Sequence, residues 1–188
     1  HIIYEERLHG KLETDDMQNM AMAYAVSKEK KREAITEMVT ELCVSGVNAI
    51  VKNEERLQQI RSLFDLDGIT IFSDRGSNLV CRNGNYMAEA SDGRPGFEDE
   101  KYLALFGEDG IFVESNMLKL RSQNPAAYAV TQEQEIGAAL QCLSRKEGIP
   151  YAMVNFEVFN RNRKWSDEDI TLLTLLGHCI GNLLNYSE

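Results

Sequence analysis

The sequence has few residues of the kinds that staple small folds or hold metals. Three prolines and one tryptophan occur among its 188 residues. Its four cysteines, Cys43, Cys81, Cys142 and Cys179, are widely spaced and include no C-x-x-C pair. This spacing is not that of a zinc finger, and it indicates buried free thiols in a reducing compartment. We therefore expect a cytoplasmic location and no metal site.

Long apolar runs and an excess of basic residues are also missing. The longest apolar runs, such as residues 170–176, are far too short to span a bilayer. The 20 Lys and Arg residues against 30 Asp and Glu residues leave a net charge of -10, which repels phosphate backbones and anionic lipids. We expect neither nucleic-acid binding nor membrane insertion. Because the first residue is His1 and no signal segment opens the chain, we expect a part of a larger protein.

Catalytic motifs are absent as well. The sequence contains no Gly-x-Ser-x-Gly elbow, no phosphate-binding loop and no His-Glu-x-x-His zinc motif. No nucleophile and base occur at a spacing typical of a catalytic pair. We expect no catalytic residues and predict that the chain is not an enzyme.

Helical periodicity dominates the first third of the chain. Residues 1–13 are predicted as a short leader in which Gly10 breaks any early helix; beyond it, apolar residues recur at helical spacing. A second apolar stripe with this spacing comprises Ile35, Met38, Val39, Leu42, Cys43, Gly46, Ala49 and Ile50. We divide the chain into a leader and linker helix, residues 1–32, and a domain, residues 33–188.

After residue 67 the periodicity changes to that of strands. Short strands are predicted at residues 68–73, 79–82 and 111–114. The second of these is expected to end at Asn83-Gly84-Asn85. Residues 88–110 are predicted as a loop with one short helix near Tyr102–Phe106.

The C-terminal third has the clearest local signals. Two alternating segments, residues 138–143 and 151–159, predict a hairpin. Ser166 and Asp169 have the spacing of a capping box, and a leucine-rich amphipathic helix follows them. Residues 115–137 are ambiguous, with a helical turn expected to start at Thr131.

Three stretches of this C-terminal third together resemble a GAF domain. They are residues 137–143 (GAALQCL), 152–159 (AMVNFEVF) and 163–173 (RKWSDEDITLL). In that family a final hairpin is followed by a short turn, an aromatic residue, an acid-rich first helical turn and a leucine-rich helix. The resemblance extends over about residues 33–186, and the sequence looks most similar to the domains attached to bacterial GGDEF-type diguanylate cyclases.

The resemblance implies an α+β fold, with a central antiparallel sheet of five or six strands and the terminal helices packed on one face. It also implies a small-molecule pocket on the other face, beneath a variable middle segment. Members of the family commonly pair through their first and last helices and pass a change to the next domain. We therefore expect a regulatory small-molecule sensor that controls a covalently linked downstream catalytic domain, such as a diguanylate cyclase.

Several ligand signatures of the family are missing. The Asn-Lys-x-Phe-Asp-Glu motif of cyclic-nucleotide-binding members is absent, and no Cys or His that could attach a bilin occurs between Arg82 and Gln141. The three histidines lie on the terminal segments, away from the position expected for a haem pocket. The ligand and any cofactor are therefore left unidentified.

The strand predicted at residues 151–159 has two different faces. Its even-numbered positions 152–158 are all apolar and suit the side packed against helices, whereas Asn155 and Glu157 lie on the other side. These two residues face either a ligand pocket or an open, solvated surface. In the first case the ligand lies between the sheet and residues 98–135. The predicted ligand-binding residues are Arg82, Phe106, Phe112, Tyr128, Gln141, Asn155 and Glu157.

Apolar residues outside the predicted core indicate a self-association surface. They are Met17, Met20 and Tyr24 before the domain, and Leu175, Cys179 and Tyr186 on the last helix. A helix with two apolar faces usually has two partners, so these residues predict a parallel homodimer through the terminal helices.

Two other functions are kept as alternatives to a sensor. The first is a degenerate domain that acts only as a dimerisation spacer. The second is a thiol-based redox protein that uses Cys81 and Cys142, because thiolates are the nucleophiles of such chemistry.

Overall fold

The computed structural model describes residues 2–46, 49–50, 54–73, 77–82, 85–90 and 99–186, with side chains described for residues 14–46, 49–50, 54–73 and 99–185. The helices are α1 (Ile2–Ser45), α2 (Glu54–Leu63), α3 (Glu100–Leu103), α4 (Leu120–Gln123), α5 (Pro125–Glu133) and α6 (Asp167–Tyr186), with a 3-10 turn at Met117–Lys119. The strands are β1 (Gly68–Ser73), β2 (Ser77–Arg82), β3 (Asn85–Ala90), β4 (Ile111–Glu114), β5 (Ile136–Lys146) and β6 (Ile149–Phe159).

The strands form one antiparallel sheet in the order β3-β2-β1-β6-β5-β4. The fold is thus α+β with an antiparallel sheet, as the sequence predicted. The β5–β6 hairpin closes through Glu147 and Gly148, which both have positive φ, at 52° and 83°. Positive φ at both turn residues matches the right-handed twist of the flanking strands, so this short turn suits the long hairpin.

The main core lies between one face of the sheet and the helices α1, α2 and α6. The predicted apolar face of β6 lies in this core. The core also contains Leu42 of α1 and Leu173, Leu176 and Ile180 of α6, the two terminal helices that the resemblance placed on one face of the sheet. Each of these four side chains is fully buried. Their helical spacing aligns them on one stripe per helix, and the sheet supplies the opposing apolar surface.

Helix α1 corrects the prediction that Gly10 breaks any early helix. It runs without a break from Ile2 to Ser45, a span of 44 residues, and Gly10 lies inside it. A single glycine costs a helix only about 1 kcal/mol, which neighbouring good helix formers offset. The helix also crosses the predicted boundary between residues 32 and 33, and Ala34 is the first buried side chain that the structure describes. The division into leader and domain stays a prediction.

Two further elements differ from the sequence prediction. Strand β2 ends at Arg82, as predicted, but strand β3 pairs with it and runs to Ala90, into the residues 88–110 that were predicted as a loop. The helical turn expected to start at Thr131 is instead part of α5, which starts at Pro125 and is capped by the Asn124 side chain. Proline suits the first position of a helix because its missing N–H has no partner there in any case.

Helix α6 starts as its sequence predicts. The Ser166 hydroxyl accepts a hydrogen bond of 3.1 Å from the backbone N–H of Asp169, which is one half of a capping box. The Asp169 carboxylate binds Lys31 and Arg163 at 2.7 and 3.0 Å instead of completing the box. The start of α6 is therefore tied to α1. Within the described residues, no helix combines the length and the apolar character that crossing a membrane requires.

Candidate functional site: a polar row beneath helix α5

A row of buried polar side chains crosses the sheet on the face away from the main core. Thr70 on β1 pairs with Asn155 on β6, and Asn155 pairs with Gln141 on β5. These three residues are 0%, 5% and 4% exposed. Because side chains alternate along a strand and direct cross-strand partners share a face, the row lies on one surface of the sheet. The interpretation of Asn155 as part of an open, solvated face was therefore wrong.

A cavity of about 150 Å³ lies over this row. Its floor is the sheet, and its walls come from α3 and α5. The cavity is lined by Phe72, Asp99, Tyr102, Ala126, Ala127, Val130, Thr131, Gln134, Ile136, Gln141, Met153, Asn155 and Glu157. Apolar side chains thus surround a small set of polar groups, which is the usual composition of a small-molecule site.

Tyr102 links the wall of the cavity to its floor. Its hydroxyl donates a hydrogen bond to Gln141 Oε1 and lies 3.9 Å from Met153 Sδ. Burial raises the pKa of Tyr102 well above its usual value; the bond to Gln141 opposes this rise, and the negative charge of Glu157 adds to it. Tyr102 therefore keeps its proton at neutral pH and acts as a donor to Gln141.

Helix α3 holds Tyr102 in place through its N-cap. Asp99 Oδ1 accepts hydrogen bonds from the backbone N–H groups of Lys101 and Tyr102, at 2.9 and 3.2 Å. The sequence placed Tyr102 in a short helix but did not identify it as a site residue. A signal was available: an aspartate three residues before an aromatic side chain is typical of a capped helical start.

Asn155 is the polar group whose bonding is incomplete. Its Oδ1 accepts no hydrogen bond from the described part of the chain, and the same holds for Thr70 Oγ1 beside it. A buried acceptor left without a donor costs about 1–3 kcal/mol. Asn155 also lines the cavity. A molecule in the cavity that offers an N–H or O–H group would remove this cost.

The charge of the described lining is acidic. Asp99 and Glu157 contribute carboxylates, and Glu157 is only 1% exposed. No lysine, arginine or histidine occurs among the described residues that line the cavity. Such a lining disfavours anionic ligands and favours neutral or cationic ones, because the carboxylates repel a ligand anion most strongly in a low-dielectric site.

The structure brings some of the predicted site residues together and separates others. Gln141, Asn155 and Glu157 line the cavity. Phe106 and Phe112 were predicted as walls but instead fill a second apolar cluster on this side of the sheet, where their ring centroids are 5.9 Å apart. Tyr128 packs against the same cluster. Large rings bury more area in a packed cluster than in a cavity wall, which explains this placement.

The remaining predicted residue is Arg82. Its backbone pairs with Gly68, and Gly68 pairs with Glu157, so Arg82 occupies the same cross-strand row as Glu157. The side chain of Arg82 lies outside the described residues, as does Glu98 at the start of the predicted covering segment. Contact between Arg82 and a ligand stays a prediction.

The sequence matches no known family model and no curated protein. The fold, in contrast, is shared with solved structures. The chromophore-binding domain of the Stigmatella aurantiaca bacteriophytochrome superposes with a TM-score of 0.59 at 14% identity, covering 82% of this chain and 60% of that one. This chain thus spans less than two thirds of the phytochrome domain's length.

Two other solved structures are matched over nearly their full length. The phycocyanobilin-bound GAF domain of a cyanobacterial phytochrome has a TM-score of 0.58 at 10% identity, covering 84% of this chain and 94% of that one. Free methionine-R-sulfoxide reductase from Neisseria meningitidis, in complex with its substrate, has a TM-score of 0.54 at 10% identity, covering 85% and 91%. At such low identity these likenesses establish the fold alone, which is that of a GAF domain.

Proposed function

We propose that this chain is a regulatory domain that senses a small molecule in the cavity beneath α5. The observation that carries the proposal is the buried polar row under this cavity, where Asn155 Oδ1 finds no donor among the residues that the structure describes. In a domain with no use for a ligand, apolar side chains at these positions would avoid that cost. We further propose that the domain belongs to a larger cytoplasmic signalling protein of bacterial type and controls a linked catalytic domain such as a diguanylate cyclase.

The size of the cavity restricts the ligand. A volume of about 150 Å³ is smaller than the several hundred Å³ typical of sites for drug-sized molecules. We therefore propose a compact ligand, neutral or cationic, with an N–H or O–H group for Asn155 and a short apolar part against Phe72 and Met153.

A role in sensing is favoured over a role in catalysis. The reductase neighbour shows that this fold can support an enzyme. Here Cys142 lies in the main core, on the opposite side of the sheet from the cavity. Burial raises the pKa of Cys142 to about 12, so almost no thiolate forms at neutral pH. The thiol-based alternative that relied on Cys142 is therefore not proposed, while the side chain of Cys81 lies outside the described residues.

Native mass spectrometry of the purified protein tests the proposal. We expect a bound small molecule, or stabilisation by a compound from a panel of small neutral or basic amino acids, amides and amines in a thermal-shift assay. Asn155→Ala is expected to weaken binding about ten- to a hundredfold, the equivalent of about 1–3 kcal/mol for one hydrogen bond to a buried acceptor.

Two further variants sharpen this test. Ala127→Leu fills the cavity without removing a polar group and is expected to abolish binding, whereas Asn182→Ala, on the exposed side of α6, is expected to bind normally. Absence of any copurifying molecule, together with no response to the whole panel, would contradict sensing by this cavity.

A dimerisation spacer is the second candidate function. Met17, Met20 and Tyr24 are 71%, 73% and 65% exposed and lie at helical spacing on one face of α1, where they form the kind of apolar patch that marks an interaction site. In this case the domain would hold two copies of the protein together through its terminal helices, and the cavity would be incidental. Failure of the binding experiments combined with a stable homodimer is the outcome that favours this candidate.

A further inference from the structure

Helices α1 and α6 lie side by side and run in the same direction. At one end of their interface Lys28 contacts Glu168 at 3.1 Å, and Lys31 contacts Asp169 at 2.7 Å. Further along, Leu42 and Ile180 belong to the same buried cluster. The interface therefore extends along α1 from residue 28 to about residue 43.

Two cysteines occupy matched positions at the far end of this interface. Cys43 is twelve residues beyond Lys31, and Cys179 is ten residues beyond Asp169. At 1.5 Å per residue these intervals correspond to about 18 and 15 Å along the two helices, so the cysteines lie at nearly the same height. Their chain neighbours, Leu42 and Ile180, share the core.

The side chains of the two cysteines also meet. Both residues are free thiols; Cys43 is exposed and Cys179 is partly buried. Burial raises the pKa of Cys179, and the adjacent Cys43 thiol, which shares a hydrogen bond with it, raises it further. One sulfur is thus open to solvent while the other lies beside it, next to the core.

We propose that Cys43 and Cys179 form a reversible disulfide that joins α1 to α6 when the protein meets a peroxide. The Cys43 sulfur attacks the peroxide O–O bond, which breaks to release an alcohol or water and leaves a sulfenic acid on Cys43. The Cys179 sulfur then attacks Cys43 Sγ, and the sulfenic oxygen leaves as water. Two thiols and one peroxide thus give one disulfide, one water and one alcohol, and thiol–disulfide exchange with a small dithiol restores both thiols.

The link has a direct structural consequence. It covalently fixes the two helices that begin and end the described chain, closing a loop from residue 43 to residue 179. Constraining so long a loop in the unfolded chain stabilises the folded one. The inference does not depend on any ligand in the cavity, because neither cysteine lines it.

Treatment of the purified protein with hydrogen peroxide tests the inference. Digestion without reductant is expected to yield one peptide pair, joined through Cys43 and Cys179 and lighter by two hydrogen atoms. The oxidised protein is expected to unfold roughly 5–15 °C higher than the reduced protein, and dithiothreitol is expected to reverse the shift.

Three variants serve as controls. Cys43→Ser and Cys179→Ser are each expected to lose both the linked peptides and the rise in Tm, while Cys81→Ser is expected to keep both. Over-oxidation of Cys43 without a link, a Cys43–Cys43 link between two molecules, or a Cys43–Cys179 link that lowers Tm would each overturn the inference.

Discussion

Arg163 connects the start of α6 to the end of α2. Its guanidinium bonds Asp169 at 3.0 Å and lies 4.3 Å from the centre of the Trp165 ring, and it donates to the backbone carbonyls of Phe64 and Asp65 after α2. No sequence pattern marked Arg163 for burial. The side chain is instead nearly buried, because the flat guanidinium can donate in several directions at once.

Arg163→Ala is expected to lower the free energy of unfolding by about 3–5 kcal/mol. The buried Asp169 carboxylate then keeps Lys31 as a cationic partner but loses Arg163, and the backbone carbonyls of Phe64 and Asp65 lose the guanidinium as a hydrogen-bond donor. Arg163→Lys is expected to recover only part of this loss, since a single ammonium cannot reproduce the planar fork. Urea denaturation measures both changes. Arg121→Ala, at an exposed position, is the matched control and is expected to change stability by less than about 0.5 kcal/mol. A similar small effect for Arg163→Ala would show that the network contributes little.

Cys142 gives the protein a pH-dependent stability. Its pKa is raised by burial to about 12, whereas an unfolded thiol titrates near pH 9. Below pH 9 both states hold the proton and stability is unaffected. Between pH 9 and 12 the unfolded state loses the proton first, so the folded state is progressively disfavoured by up to about 1.4 kcal/mol per pH unit.

We therefore expect the stability of the wild type to fall relative to that of Cys142→Ala as the pH rises from 9 to 11. Urea denaturation at a series of pH values gives the difference directly, and comparison with the variant cancels the titration of other groups. Parallel stability curves for the two proteins would show that Cys142 ionises equally well in both states.

At the scale of elements, two glycines determine how closely α6 approaches the sheet. A Cβ atom on Gly177 would lie 2.6 Å from Cys142 Sγ, and one on Gly181 would overlap Ser144 Oγ. Glycine is unfavourable inside a helix by about 1 kcal/mol relative to alanine. Gly177 and Gly181 are four residues apart, so both lie on the side of α6 that faces β5. The close packing of α6 on β5 that they allow therefore outweighs their unfavourable helix propensity.

Gly177→Ala is expected to destabilise the protein by about 1–3 kcal/mol despite the better helix propensity of alanine, because the added methyl group overpacks the core. Thermal and urea denaturation measure this effect. Asn182→Ala, on the exposed side of the same helix, is the matched control and is expected to be neutral or slightly stabilising. A stabilised Gly177→Ala protein would indicate that α6 can move away from β5 at little cost.

At the scale of the whole molecule, α1 extends well beyond the fold that it helps to build. Its 44 residues correspond to about 66 Å, and the side chains of residues 14–27 are exposed. A helical segment of about 14 residues, the length of this exposed part, is marginal in water without tertiary contacts. A second copy of the chain, paired along this segment, is the partner that we propose. The corresponding apolar stripe predicted on α6 is only partly free, because Cys179 meets Cys43, while the side chain of Tyr186 lies outside the described residues.

Sedimentation equilibrium tests this homodimer. Met20→Lys is expected to weaken dimerisation tenfold or more, since burying a methionine contributes about 1.5–3 kcal/mol. Val44→Lys, at an equally exposed position near the other end of α1, is expected to leave the equilibrium unchanged. A monomeric wild-type protein at high concentration, or equal effects of the two variants, would argue against pairing through the N-terminal part of α1.

Much of the fold follows from the sequence by itself. The stripe predicted on α1 holds for Ile35, Met38 and Leu42, although Cys43 is exposed and α1 ends at Ser45, before Ala49 and Ile50. The stripe on α6, the apolar face of β6 and the Ser166 cap depend on spacing within one element, and they occur as predicted. Such patterns are decided locally, because helices and strands repeat with fixed periods. The same reasoning predicted Gln141, Asn155 and Glu157 as site residues, because these polar side chains interrupt otherwise apolar strands.

What the sequence could not determine depends on contacts between distant segments. Tyr102 and Gln141 are 39 residues apart, Lys31 and Asp169 are 138 apart, and no periodicity within either partner specifies the other. The cavity beneath α5, the burial of Arg163 and the meeting of Cys43 with Cys179 arise in the same way. They exist only because the sheet register and the packing of α1 on α6 bring these side chains together. The register and the packing are in turn stabilised by contacts distributed over the whole core, not by any one segment.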